Sequence, residues 1–431
     1  MTAAKPIANV VFLGGEGSGK STLIGHFLHL LQPNTQQFEK YDKETTEKGL
    51  PDRKFAWLTS HLPEERSQGH TINVSSHSLE TESVSFTLFD VPGRRKWTGN
   101  MYAGTSCADI AVLVVSAKRG QFEVEAGVFG PCKEHLLMAF TAGVKQLVVA
   151  INQIDTCSPT WAADRYEEMT TELTVYFKRV GYNSTNVSIV PISAWHGWNL
   201  IEPFGDWLWY SGPTLLQALG SFQPQKRSWD KPLRVTVLEV YKIGGVGTVA
   251  VGKVQTGGMP AGSIVAVAPG SIVCTGNLIE RNYVTLEKAE AGAFVGINLR
   301  GTTYRALKRG SVISSKDDKA QTCLRFTAQV IVLFHPREIR PGYRAMLHCH
   351  TAKSPCKVTV LKARIDRRTG RMMEENPNSV KTGDALFCVL QLEKGICVER
   401  FVDYPPLGRF VLREMGVTVA VGIIKEVEKE F

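Results

Sequence analysis

Several things are scarce in this chain of 431 residues. It has nine cysteines, scattered and without a CxxC pair. That argues against a zinc finger, a thioredoxin-like redox motif and a disulfide framework, and it fits reduced thiols. No apolar run approaches the ~20 residues needed to cross a bilayer, so no membrane insertion is expected. Met1-Thr2-Ala3-Ala4-Lys5-Pro6 carries no apolar core like that of a secretory signal, and a cytoplasmic location is expected. No repeat, low-complexity tract or dense basic block occurs, although the formal net charge is +9. That charge suits an acidic partner, whether nucleic acid, a cytoskeletal filament or an anionic membrane surface, and equally suits plain solubility.

What is present begins at Gly14. Residues 14–22 read Gly-Gly-Glu-Gly-Ser-Gly-Lys-Ser-Thr, directly after the apolar run Asn9–Leu13 and before the helical pattern Leu23, Ile24, Phe27, Leu28, Leu31. This is G-x-x-x-x-G-K-[ST] at a strand-to-helix junction, the context a phosphate-binding loop requires. Gly15, Glu16, Gly17, Ser18 and Gly19 would cradle phosphates through backbone N–H groups. Lys20 would reach the outer phosphates, the Ser21 hydroxyl would ligate Mg²⁺, and Thr22 closes the motif.

The first half alternates apolar strands (Val10–Leu13, Ser85–Asp90, Ile110–Ser116, Gln146–Ile151, Ser188–Ile192) with helical stretches such as Glu134–Ala142 and Asp164–Val180. That order predicts an α/β domain with a parallel sheet. The pattern ends near Leu219, and Ser221–Pro232 reads as a linker. Short alternating runs with glycine turns follow at Leu233–Tyr241, Gly247–Gln255, Ser263–Ala268 and Ala293–Leu299, which suit a small antiparallel barrel. The polar stretch Ser314–Gln321 precedes a second all-β block from Cys323 onward. The expected architecture is an α/β P-loop GTPase domain over 1–222 followed by two antiparallel β-barrel domains over 233–315 and 322–431.

Four further pieces fall in the order a GTP site needs. Thr71 lies in a polar loop after a helix, where its hydroxyl can meet Mg²⁺. Asp90-Val91-Pro92-Gly93 closes a strand: Asp90 can hold Mg²⁺ through water, and the Gly93 N–H can sense the γ-phosphate. Asn152-Gln153-Ile154-Asp155 closes another strand, and the Asp155 carboxylate can accept both guanine N–H donors, which adenine does not offer. Ser193-Ala194-Trp195 follows a third, where a backbone N–H can meet guanine O6. Each piece alone is weak; their order and spacing carry the reading.

The chain resembles the elongation factor 1-alpha family over nearly its whole length. The resemblance rests on Gly143-Val144-Lys145-Gln146-Leu147, Tyr241-Lys242-Ile243-Gly244-Gly245, Phe326-Thr327-Ala328-Gln329-Val330-Ile331, Ile365-Asp366-Arg367-Arg368 and Asp403–Phe410. It implies a GTPase domain with two β-barrels, GTP/GDP and Mg²⁺ as ligands, delivery of aminoacyl-tRNA to the ribosome, and an exchange factor that reloads the nucleotide. Members also bind actin and microtubules, so a non-catalytic scaffold on the cytoskeleton is the competing expectation.

Departures from the family pattern cluster where chemistry is done. Arg94 stands where the family has the histidine that positions the attacking water. Arginine has no acceptor, so slow hydrolysis is expected, with an arginine-finger role as the alternative. Gly17 replaces an aspartate in the phosphate loop, and Gln153 replaces the lysine of Asn-Lys-x-Asp. Gln68, His70 and Asn73 replace arginine, isoleucine and aspartate around Thr71, and Lys96 replaces an aspartate. Phe294 stands where an asparagine contacts the aminoacyl group, beside Arg281-Asn282-Tyr283 in place of Met-His-His. Gly416-Val417-Thr418-Val419 loses a cation that could meet a tRNA phosphate, and Lys425–Phe431 replaces a lysine-rich tail. Trp195, Trp198, Trp207 and Trp209 crowd one segment, which reads as hinge packing between domains rather than as a protein-binding surface.

Overall fold

The computed structural model describes residues 5–127, 130–183 and 186–429. The outer domain limits and the last two tail residues fall outside that range. The chain forms two units, Met1–Gln225 and Lys226–Phe431, parted inside the expected linker.

The first unit is built on six strands: β1 (Ile7–Leu13), β2 (Ser75–Glu80), β3 (Ser85–Asp90), β4 (Ile110–Ser116), β5 (Gln146–Asn152) and β6 (Val187–Pro191). Their order is β2-β3-β1-β4-β5-β6. All pairs are parallel except β2 with β3. In β1, β3 and β4 almost every side chain is buried, as strands covered on both faces require. The chain leaves β1 for β3 on one side and reaches β4 on the other. A crevice therefore opens beyond the carboxyl end of β1, the usual ligand position in such sheets.

Nine helices accompany these strands among the described residues: α1 (Lys20–Leu31), α2 (Thr35–Glu47), α3 (Lys54–Thr59), α4 (Pro63–Gln68), α5 (Thr98–Thr105), α6 (Gln121–Glu125), α7 (Pro131–Ala142), α8 (Pro159–Val180) and α9 (Leu215–Gly220). Leu23, Ile24 and Phe27 of α1 pack on Val10, Phe12, Leu88 and Val112, so the same helix that opens at Lys20 is anchored in the core. Both α7 and α8 stop at a glycine in the left-handed region, Gly143 and Gly181, which frees them from a Cβ clash. The tryptophan-rich segment folds within this unit. Trp198 stacks on Phe204 and His196, and Trp209 meets Tyr166 of α8.

The second unit holds two closed six-stranded antiparallel barrels. In the first, the ring runs Ser263–Ala268, Val312–Ser315, Arg234–Ile243, Gly247–Thr256, Phe294–Arg300 and Ile272–Arg281, which pairs back onto Ser263–Ala268. In the second it runs Arg344–Cys349, Arg409–Glu414, Val417–Lys429, Thr322–Val332, Ala385–Cys397 and Ala352–Ile365, closed by the pairing of Arg344–Cys349 with Ala352–Ile365. Burial alternates along Thr322–Val332 and Ala352–Ile365, as a barrel with one face inward demands. The stretch expected to separate the barrels is in part structural: its first residues end strand Val312–Ser315, and buried Arg234 pairs with Asp318 and Glu399. All nine cysteines are free thiols, eight of them buried.

Candidate functional site

The crevice beyond β1 is a cavity of about 460 Å³, and it collects residues from every sequence piece read as part of a GTP site. At one end lies the phosphate loop. Gly14, Gly17 and Gly19 all have positive φ, which lets the chain curl tightly between β1 and α1. A Cβ on Gly14 would sit 2.2 Å from the Val114 carbonyl oxygen, so no other residue fits there. The Gly14 N–H donates to His135 Nδ1 at 3.3 Å from behind the loop. Lys20 is buried and donates to the carbonyls of Gly14 (3.1 Å) and Gly15 (2.7 Å). Burial pushes its pKa down, opposed by the charges of Asp90 and Glu125. Gly93 closes on this loop: a Cβ there would lie 2.7 Å from Lys20 Nζ and 2.8 Å from the Gly15 oxygen.

Next to Lys20 three oxygen donors converge. Ser21 Oγ lies 3.1 Å from Thr71 Oγ1, although the two residues are fifty positions apart. The Thr71 loop is held by Glu65, whose buried Oε1 accepts from the N–H groups of Ile72 (2.8 Å) and Asn73 (3.0 Å). Asp90 is fully enclosed. Its Oδ2 accepts from the Thr59 hydroxyl at 3.0 Å, and its Oδ1 has no hydrogen-bond partner. Burial holds its pKa above the ordinary carboxylate range, offset by the Ser21 hydroxyl and the Lys20 charge. A buried carboxylate oxygen without a partner, beside two hydroxyls, fits a small hard cation such as Mg²⁺. Among the described residues no cluster of three His, Cys, Asp or Glu offers a competing metal site.

Arg94 does not stand alone. Its Nη2 lies 2.5 Å from Glu16 Oε1 in the phosphate loop, and its Nη1 lies 3.4 Å from His70 Nε2 beside Thr71. The arginine lowers the Glu16 pKa, and Glu16 raises that of the arginine.

At the other end, Asn152 is buried and spans two loops. Its Nδ2 donates to the Ser18 carbonyl at 2.8 Å, and its Oδ1 accepts from the Ala194 N–H at 2.9 Å. Gln153 adopts a left-handed φ of 64° and donates from Nε2 to the Gly17 carbonyl at 3.2 Å, while its Oε1 accepts from the Ser116 hydroxyl. The glutamine thus bonds the phosphate loop. Asp155 lines the cavity with His196 Nε2 4.0 Å away. Ser193 is buried beneath it, its Oγ accepting from the His196 N–H at 3.3 Å, and Ala194 and Trp195 reach the cavity wall. Trp195 meets Phe55 edge-on, and His26 bonds the Ala194 carbonyl at 2.7 Å.

Several contributors were not read from the sequence. Thr59, His26, His135 and Glu125 act on site residues from 31 to 168 positions away or from behind the loop, and Glu65 holds the Thr71 loop from seven and eight positions away. Glu125 is buried against Gly15, and burial raises its pKa. A local cue existed only for Glu65, since Pro63-Glu64-Glu65 marks a helix N-terminus. Lys118, just past β4, also lines the cavity. Phe294 lies elsewhere, in the first barrel: it opens strand Phe294–Arg300 opposite Lys253 and is buried.

Comparison with known proteins agrees with this geometry. The family model described as "Elongation factor Tu GTP binding domain" matches residues 5–225, and "GTP-eEF1A C-terminal domain-like" matches residues 325–425. Elongation factor 1-alpha of Plasmodium falciparum is 43% identical over 432 aligned residues, covering 100% of this chain and 97% of its own. That of Tetrahymena pyriformis is 42% identical, covering 98% of each. Among solved structures, the S. cerevisiae Ski7 GTPase-like domain bound to GTP shares the fold with a TM-score of 0.79 at 16% identity, covering 97% of both chains. Elongation factor SelB of Methanococcus maripaludis, with a GTP analogue, gives 0.72 at 19% identity, covering 99% of this chain and 80% of its own. With a GTP-binding domain model over its first half and full-length relatives above 40% identity, this chain belongs to the elongation factor 1-alpha family of translational GTPases.

Proposed function

We propose that the protein binds GTP and GDP with Mg²⁺ at this cavity and works in GTP-dependent delivery of aminoacyl-tRNA to the ribosome, with slow hydrolysis and a reduced grip on the aminoacyl end. The observation that carries the nucleotide reading is the convergence of Lys20, Ser21, Thr71 and Asp90, with an unpartnered Asp90 oxygen, at the mouth of the phosphate loop. Ser21 and Thr71 would hold the Mg²⁺, with Asp90 behind them. When bound, the ion would offset the charge of the phosphates. Backbone N–H groups of Gly15–Gly19 and the Lys20 amine bind and orient the phosphates. Asp155 would select guanine by accepting two N–H donors, with the Ala194 segment at O6.

Slow hydrolysis is supported by the side chain at position 94. A guanidinium donates five hydrogen bonds and accepts none, so it holds no water by its proton, and here it is occupied by Glu16. The reduced aminoacyl grip is supported by Phe294, a buried ring without a hydrogen-bonding side-chain atom where the family has an amide.

The test is binding of labelled GTP, GDP and ATP to the full chain in Mg²⁺, followed by single-turnover phosphate release. Guanine-selective binding with slow release is expected, and Arg94→His should speed release by about tenfold or more. Equal binding of ATP would overturn the guanine site. Fast release by the unaltered protein would overturn the slow-hydrolysis reading. Absence of any nucleotide binding would leave a scaffold role, on a filament or elsewhere.

A further inference from the structure

Three polar side chains from three separate segments meet at the phosphate end: Glu16 from the phosphate loop, Arg94 after Gly93, and His70 beside Thr71. We infer that Glu16 is the resting partner of Arg94, and that the pair distinguishes GTP from GDP because only a third phosphate draws the arginine away from the carboxylate. The inference rests on the reading of the cavity as a guanine-nucleotide site and deepens it.

Two guanidinium nitrogens rest on protein groups, Nη2 on Glu16 and Nη1 on the His70 ring. Both Arg94 and Glu16 are roughly half exposed, so water screens the pair and little free energy holds it. A terminal phosphate carries more charge than a carboxylate and takes a guanidinium through two parallel hydrogen bonds. Arg94 is next in sequence to Gly93, whose α-carbon packs against Lys20 and Gly15, so the arginine is anchored beside the place the outer phosphates occupy. GDP ends short of that place and leaves the pair intact. Each exchange therefore sets the gain of an arginine–phosphate contact against the loss of the Arg94–Glu16 pair, and Glu16 tempers the preference for GTP. The same movement removes the His70 contact, so the loop bearing Thr71 feels the third phosphate through Arg94 as well as through its own hydroxyl.

The test is a double-mutant cycle on the full chain. Affinities for GTP and GDP in Mg²⁺ are measured for the unaltered protein, Glu16→Gln, Arg94→Gln and the double variant, each checked for folding by circular dichroism. Glu16→Gln should raise the GTP-over-GDP preference by about two- to fivefold, the range of an exposed ion pair. Arg94→Gln should lower it, and Glu16→Gln should lose its effect on the preference once Arg94 is gone. If Glu16→Gln strengthens GTP and GDP equally, or acts the same with and without Arg94, Glu16 merely adds negative charge and the inference fails. Unchanged selectivity among bound nucleotides thus overturns only the pair. Loss of all nucleotide binding in the unaltered protein would overturn the site itself.

Discussion

The two ends of the cavity are built on opposite plans. At the end assigned to the purine, two amide side chains are already held by protein groups: Asn152 has a protein partner on each side of its amide, and Gln153 is locked with a left-handed backbone between Ser116 and Gly17. At the phosphate end the charged groups rest on stand-ins. Lys20 holds two backbone carbonyls, Arg94 holds Glu16, and one oxygen of Asp90 holds nothing. A finished network stabilises the fold whether or not ligand is present. A provisional one stores its hydrogen-bonding capacity for the ligand.

That contrast can be broken by substitution. The largest effect is expected at Asn152. Asn152→Ala strands the Ser18 carbonyl and the Ala194 N–H in the interior and should cost the folded protein about 3 kcal/mol or more, read by urea unfolding without nucleotide. Undiminished stability would mean that the purine end is not self-sufficient. Lys20→Met should do the reverse. Its buried amine is replaced by a neutral stem, so stability holds while GTP affinity drops by about 100-fold in titration calorimetry, the size of a lost charged hydrogen bond. A loss of stability on the scale of Asn152→Ala would erase the distinction.

The smallest effect sharpens it by pH. Burial raises the Asp90 pKa, so the folded protein takes up this proton at a higher pH than the unfolded chain does. Ionised Asp90 therefore lowers stability near neutrality, and that cost fades as pH falls through the raised value. The Mg²⁺-dependent part of nucleotide affinity should fade over the same window, above the ordinary carboxylate range, and Asp90→Asn should abolish the trend. Affinity measured with the metal chelated should stay level there.

The strands around the crevice and the nucleotide motifs were legible because each is a local pattern. Ile110–Ser116 is an unbroken buried run, and residues 14–22 announce a turn and a helix start. Strand Ser75–Glu80 escaped notice because Ser-Ser-His-Ser-Leu-Glu buries little and lies at the sheet edge, without apolar alternation. Helix Thr35–Glu47 escaped for a related reason: it buries only Thr45, so it shows no apolar stripe. The pairing of Arg94 with Glu16 was not legible, since the two are distant in sequence and nothing near either residue names the other. The tryptophan segment, expected at a hinge, makes ring contacts inside the first unit, with Tyr166 of the long helix α8 as an anchor.

Asn152 has one more consequence. Because a single side chain ties the Ser18 carbonyl to the Ala194 N–H, the loop that would take phosphates and the loop that would take a base stand a fixed span apart. The amide works as a ruler. A molecule with a longer or shorter reach between its ring and its first phosphate finds no slack to absorb the difference, so length is judged by a residue lodged beneath the two loops it spaces.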